Sequence, residues 1–149
     1  MEVSRSASEE QIKERLNAVI AAAHTGAVTY TAAISNGERV IARAVREQGF
    51  PLVVLLNDGF PKEGSQQEHY YKPGGVYFDA CSKGKLLLME PDESSYTHPD
   101  VKAATMECLR RKAEAKHLSY RDVPTDTQRY RFVALNEMGR MMASKGYRG

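Results

Sequence analysis

The chain is poor in cysteine, has no long apolar run and carries no internal repeat, and each absence removes a class of protein. Its 149 residues include two cysteines, Cys81 and Cys108. They form no Cys-x-x-Cys pair, so both read as ordinary reduced thiols rather than as a disulfide framework or a redox pair. The four histidines, His24, His69, His98 and His117, show no metal-ligand spacing with one another or with the cysteines, and no metal site is expected. No stretch approaches the ~20 consecutive apolar residues that span a bilayer, so no membrane partner is expected. The first residues, Met1-Glu2-Val3-Ser4-Arg5, lack the basic-then-apolar layout of a secretory signal, which predicts a cytoplasmic protein. Nothing in the sequence implies a cofactor.

What is present suits one globular domain spanning 1–149, with loose ends at 1–7 and 145–149. Apolar residues make up 42% and charged residues 27%, a balance that argues against a disordered chain. A chain of this length buries about two-thirds of its unfolded surface, enough for a core without covalent staples. Charge is unevenly spread: Leu109–Gly149 carries ten Lys/Arg against four Asp/Glu, whereas Met1–Cys108 is net acidic. A basic end of this kind suits an acidic partner such as nucleic acid, although at helical spacing it also serves as a solvated face.

Ser8-Glu9-Glu10-Gln11 has capping-box spacing, and Ile12, Leu16, Val19, Ile20 and Ala23 then recur on one helical face, predicting a helix to about His24. Ala27–Ile34 is small, β-branched and aromatic, as a strand covered on both faces would be. It leads into a second capping signal, Ser35-Asn36-Gly37-Glu38, and a helix with Val40, Ile41, Ala44 and Val45 as its apolar stripe, stopped by Gly49. Leu52–Leu56 is a buried-strand run closed by Asn57-Asp58-Gly59. Strand, helix, strand is the βαβ pattern.

Phe60–Phe78 is a long polar, aromatic and glycine-containing excursion, followed by a short helical turn at Asp79–Ser82 and a third strand within Lys85–Pro91. A polar loop covers Asp92–His98. Pro99 stands where a first helical residue belongs, ahead of a helix at about Asp100–Lys116, and Thr125-Asp126-Thr127-Gln128 signals the start of the last helix. The order α-β-α-β-loop-β-α-α predicts an α/β fold, a Rossmann-like three-layer αβα domain with a small, mostly parallel sheet. Three strands are few for such a sheet, so either strands hide in the loops or a second copy completes it, and a homo-oligomer is expected.

Ligands of open α/β sheets lie beyond the strand carboxyl ends, which directs attention to Ser35–Glu38, Asn57–Phe60 and Glu90–Asp92. Ser35, Asn36 and Gly37 at a helix start offer backbone amides to an anion, opposed by the carboxylate of Glu38 in the same turn. Asn57 and Gly59 complete the candidate phosphate-binding set with Arg129 and Arg131 of the last helix, where Arg140 also lies. Glu38, Asp58 and Glu90 are the candidate acid–base groups, though no catalytic constellation is evident. Tyr30, Tyr70, Tyr71, Tyr77 and Phe78 could stack on bases. Lys72-Pro73-Gly74-Gly75 is similar to the Pro-Gly-Gly of nucleoside-monophosphate phosphoribohydrolases, but Val76-Tyr77-Phe78-Asp79 follows it, without that group's Gly-Thr and glutamate.

The stretch from Ala27 to about Ala143 resembles the Rossmann-like core of the DNA-processing protein A (DprA/Smf) family, within the SLOG superfamily. The residues that carry the resemblance are Ala33-Ile34-Ser35-Asn36-Gly37-Glu38-Arg39-Val40-Ile41-Ala42-Arg43-Ala44, Pro51–Pro61, Gly84-Lys85-Leu86-Leu87-Leu88-Met89-Glu90-Pro91 and Arg129–Asn136. The turn reads Asn36-Gly37-Glu38 where the family has Gly-Ile-Asp. The resemblance implies a nucleotide or single-stranded DNA held by backbone amides and basic side chains, without catalysis. The alternatives are a phosphoribohydrolase-like enzyme acting on a nucleotide and an oligomerising module without a ligand.

Overall fold

Three consecutive parallel strands, flanked by helices on both faces, organise the computed structural model, which describes residues 1–144. The loose end expected at 145–149 falls outside the described residues. Helix α1, Glu9–His24, begins at a complete capping box: Ser8 Oγ accepts from the Gln11 amide at 3.1 Å, and the Ser8 amide donates to Gln11 Oε1 at 2.8 Å. Strand β1 is Thr29–Thr31, shorter than the expected Ala27–Ile34. Its end has a local cause. Ala33 takes the left-handed conformation at φ +50°, and its amide donates to Thr31 Oγ1 at 3.0 Å instead of joining a ladder.

Helix α2, Asn36–Glu47, follows, then β2, Leu52–Leu55, and β3, Leu86–Met89. The sheet order is β1-β2-β3, with Thr29 beside Leu52 and Leu52 beside Leu86. The sheet has three strands among the described residues, and none lies in the excursion. That segment instead contains a 3-10 turn, Glu68–Tyr71, and the start of helix α3, Val76–Ser82, which begins earlier than the expected Asp79.

Period-two alternation along β2 divides the core. Leu52 and Val54 pack with Leu86, Leu88, Ile41, Val45 and, from α1, Leu16, Val19 and Ile20. Leu55 and Ala32 pack on the opposite face against Leu109, Tyr130, Val133, Ala134, Leu135 and Met138. The second face is built by α4, Glu93–Tyr96, α5, Pro99–Ala115, and α6, Gln128–Ser144. Helix α4 lies where a polar loop is expected. It forms because Tyr96 is buried, and its carbonyl accepts the Tyr130 hydroxyl at 2.5 Å. Pro99 occupies the first turn of α5, where its missing amide costs nothing. The last helix is capped at Thr127, whose Oγ1 accepts from the Tyr130 amide at 3.4 Å, rather than at Thr125. No helix among the described residues is long and apolar enough to cross a membrane.

The first residues make contacts with the body of the fold. The Met1 ammonium donates to the Tyr30 carbonyl at 2.5 Å, and the Val3 amide donates to Glu38 Oε2 at 3.0 Å. These contacts lay the N-terminal segment over β1 and the start of α2.

Candidate ligand-binding site

The α2 start, expected to hold an acidic guest, holds the chain's own carboxylate. Ser35 Oγ accepts from the Glu38 amide at 3.2 Å, an ordinary N-cap. Glu38 is 3% exposed. Its Oε1 accepts from the Ile34 amide and its Oε2 from the Val3 amide, both at 3.0 Å. Gly37 is equally closed off, since a Cβ built there would lie 2.6 Å from Val3 Cγ1. Only Asn36 of this loop is exposed. The expected phosphate position beside Gly37 is therefore filled, because Glu38 reaches back to Ile34 and across to a segment 35 positions earlier in the chain. With both oxygens engaged, Glu38 is a structural acceptor and a poor acid–base candidate.

The ends of β2 and β3 do converge. Asn57 Nδ2 lies 3.4 Å from Asp58 Oδ1, and Gly59 turns at φ +73° directly against Glu90. A Cβ on Gly59 would sit 1.9 Å from Glu90 Oε1, so the backbone there needs glycine for both conformation and space.

Two of the α6 arginines, Arg131 and Arg140, have carboxylate partners within the chain. Arg131 makes a two-pronged pair with Glu93 at 2.8 and 2.9 Å, and its guanidinium lies 3.9 Å over the Tyr96 ring. The hydrogen bond to Glu93 raises the Arg131 pKa, and the same bond holds the Glu93 carboxyl below its ordinary value. This arginine clamps α4 to α6. Arg140 bonds Glu137 and, at 2.7 Å, Glu2. Arg129 is exposed and forms no ion pair among the described residues.

A different set of cations surrounds a crevice of about 760 Å³. Arg39, Arg43 and Arg46 line it from α2, Arg5 from the N-terminal segment, and Tyr71 and Tyr77 from the excursion. Its floor is the sheet face of Leu52, Val54, Leu86 and Leu88, and Asn57, Asp58 and Gly59 stand at its strand-end margin. The spacing of the α2 arginines, four and then three residues, puts them on one helical stripe. Sequence reasoning traced the apolar stripe of this helix and missed the arginine stripe beside it, although the same periodicity reports both.

Each arginine has a present duty. Arg39 Nε and Nη2 donate to the Ala33 and Ile34 carbonyls at 3.3 and 2.8 Å, fastening the left-handed turn. Arg43 pairs with Glu47 at 2.7 Å, Arg46 lies 5.5 Å over Tyr77, and Arg5 lies 5.2 Å over Phe132. The Tyr71 and Tyr77 rings meet edge to face at 5.1 Å, and Phe60 packs on Tyr71 at 6.1 Å. Burial, with Tyr77 beside it, pushes the Tyr71 hydroxyl pKa up, so it stays protonated at neutral pH. Tyr70 packs at a tilt against Tyr77, whereas Tyr30 is buried in β1 and does not line this crevice. Lys72–Gly75 is a turn closed by the Gly75 amide on the Lys72 carbonyl at 2.7 Å, leading into α3.

Comparison with protein-family models, with curated proteins and with solved structures gave no match.

Proposed function

We propose that the chain is a non-catalytic binding domain for a nucleotide or single-stranded DNA, similar in role to the DNA-processing protein A domains that its sequence resembles. The ligand lies in the crevice between α2 and the excursion, not at the α2 start. The observation that carries this reading is the arginine stripe of Arg39, Arg43 and Arg46 facing Tyr71 and Tyr77 across an apolar floor. Guanidinium groups suit phosphate, and tyrosine rings suit a base. Among the described residues that line the crevice, Asp58 is the one carboxylate, so the site carries a cationic excess. Its volume, about 760 Å³, falls in the range of small-ligand sites, ~300–1,000 Å³. The commitment of both Glu38 oxygens to main-chain donors supports binding without turnover.

Fluorescence anisotropy with a short labelled oligonucleotide and with a fluorescent nucleotide, titrated with salt, tests the reading. Binding is expected at low salt and weakens as salt rises, with a logarithmic slope of about −1.4 if two phosphates of a single strand are neutralised. Absence of binding to either probe at low salt removes the reading.

A further inference from the structure

The inference drawn here rests on the reading above and narrows the chemistry of the ligand. We infer that the crevice takes a terminal phosphomonoester, the end of a nucleotide or of a strand, and not the phosphodiester interior of a strand. Arg43 and Arg46 lie one turn apart on α2, separated by a rise of ~4.5 Å, so two guanidinium groups can converge on one phosphate. A monoester carries up to two negative charges and matches two cations, whereas a bridging diester carries one. Arg39 is not part of this pair, since it is bonded to the Ala33 and Ile34 carbonyls.

Arg46 also defines an end. Its guanidinium rests 5.5 Å over the Tyr77 ring and so braces α2 to α3 across the crevice. A strand entering from the carboxyl ends of β2 and β3 meets this brace and stops there, with its last phosphate at Arg43 and Arg46. The sugar that follows lies on the apolar floor, where Val54 and Leu88 are only half-buried, with its base toward Tyr71. The present partner of Arg43 is easily exchanged: Arg43 and Glu47 have side chains 73% and 52% exposed, and surface pairs of this kind hold weakly. An arriving phosphate takes the place of the Glu47 carboxylate.

The test uses trithymidylate labelled with fluorescein at its 3′ end, prepared with a 5′ phosphate and with a 5′ hydroxyl. The phosphorylated probe is expected to bind about tenfold or more tightly than the hydroxyl probe, and inorganic phosphate to compete with it. Arg43→Gln and Arg46→Gln should each abolish the preference, so that the phosphorylated probe binds no more tightly than the hydroxyl probe to the same variant. Glu47→Gln, which leaves Arg43 unpaired and the helix surface otherwise intact, should tighten the phosphorylated probe, and it tests the site even if an arginine variant fails to fold. Equal affinity for the two probes overturns the inference and leaves the binding reading standing. Binding of neither overturns both. A preference that survives both arginine substitutions places the phosphate elsewhere and also overturns the inference.

Discussion

Replacing Glu38 tests whether one buried carboxylate ties together three parts of the chain. Its Oε1 holds the Ile34 amide at the end of the β1 turn, and its Oε2 holds the Val3 amide of the N-terminal segment. A hydrogen bond to a charged acceptor contributes about 1.5–3 kcal/mol net. The lower figure applies to Val3, in an outer segment that can rehydrate, and a middle figure to Ile34, which cannot do so easily. An acidic side chain in the first turn of a helix adds about 0.5 kcal/mol. Glu38→Ala should therefore destabilise by about 4 kcal/mol, which lowers the Tm of a domain this size by about 8–16 °C. Glu38→Gln keeps one acceptor oxygen and should lose about half as much. Urea unfolding followed by far-ultraviolet circular dichroism measures both. A loss below about 1 kcal/mol for the alanine variant, or indistinguishable alanine and glutamine variants, would refute the reasoning.

Gly37→Ala places a methyl 2.6 Å from Val3 Cγ1 and should cost about 1–2 kcal/mol. Adding Val3→Ala should recover most of that, and a double-mutant cycle with no coupling would count against the contact. Arg131→Ala removes the stack on Tyr96 and the Glu93 pair, so a loss of about 1–2 kcal/mol is expected in thermal melts; an unchanged Tm contradicts a clamping role. Acid stability carries a further sign. Hydrogen bonds from Arg43, Lys72, Arg131 and Arg110 hold Glu47, Glu68, Glu93 and Glu107 below their ordinary pKa of 4.5. Folding favours their ionised forms, so this contribution is complete above pH 4.5 and is lost as pH falls through the depressed values. The pairs are exposed, so the Tm decline on acidification should be shallow and further weakened by salt, and a Tm that rises below pH 4.5 would contradict the sign.

The parts of the fold that were legible in the sequence are those written locally. The Ser8 capping box, the Leu52–Leu56 run and Pro99 ahead of its helix each act over a few residues, and each marks the element that it predicts. Elements fixed by distant partners were not legible. Helix α4 depends on Tyr96 meeting Tyr130 and on Glu93 meeting Arg131, contacts 34 and 38 positions apart. The candidate site divides along the same line. Asn57, Asp58 and Gly59 are strand-end residues and do border the crevice. Ser35 and Gly37 had the right local chemistry for an anion, but the occupant of their site is set by the Val3–Glu38 contact, which no spacing rule encodes. Arg131 enters the expected phosphate-binding set because its charge is visible in sequence, whereas its partner Glu93 is not.

The order of the sheet also bears on how the chain finds its folded state. Each strand pairs only with the one before or after it in sequence, so neither pairing must wait for a segment from the far end of the chain. β1, α2 and β2 can close first as one short loop, and β3 then adds to a surface already formed, each closure costing only a slowly growing loop entropy. Helix α6 comes from the far end of the chain and seals the opposite face over Leu55, so its docking should come late. The rate-limiting search should therefore belong to a helix, while the parallel ladder assembles by nearest-neighbour steps.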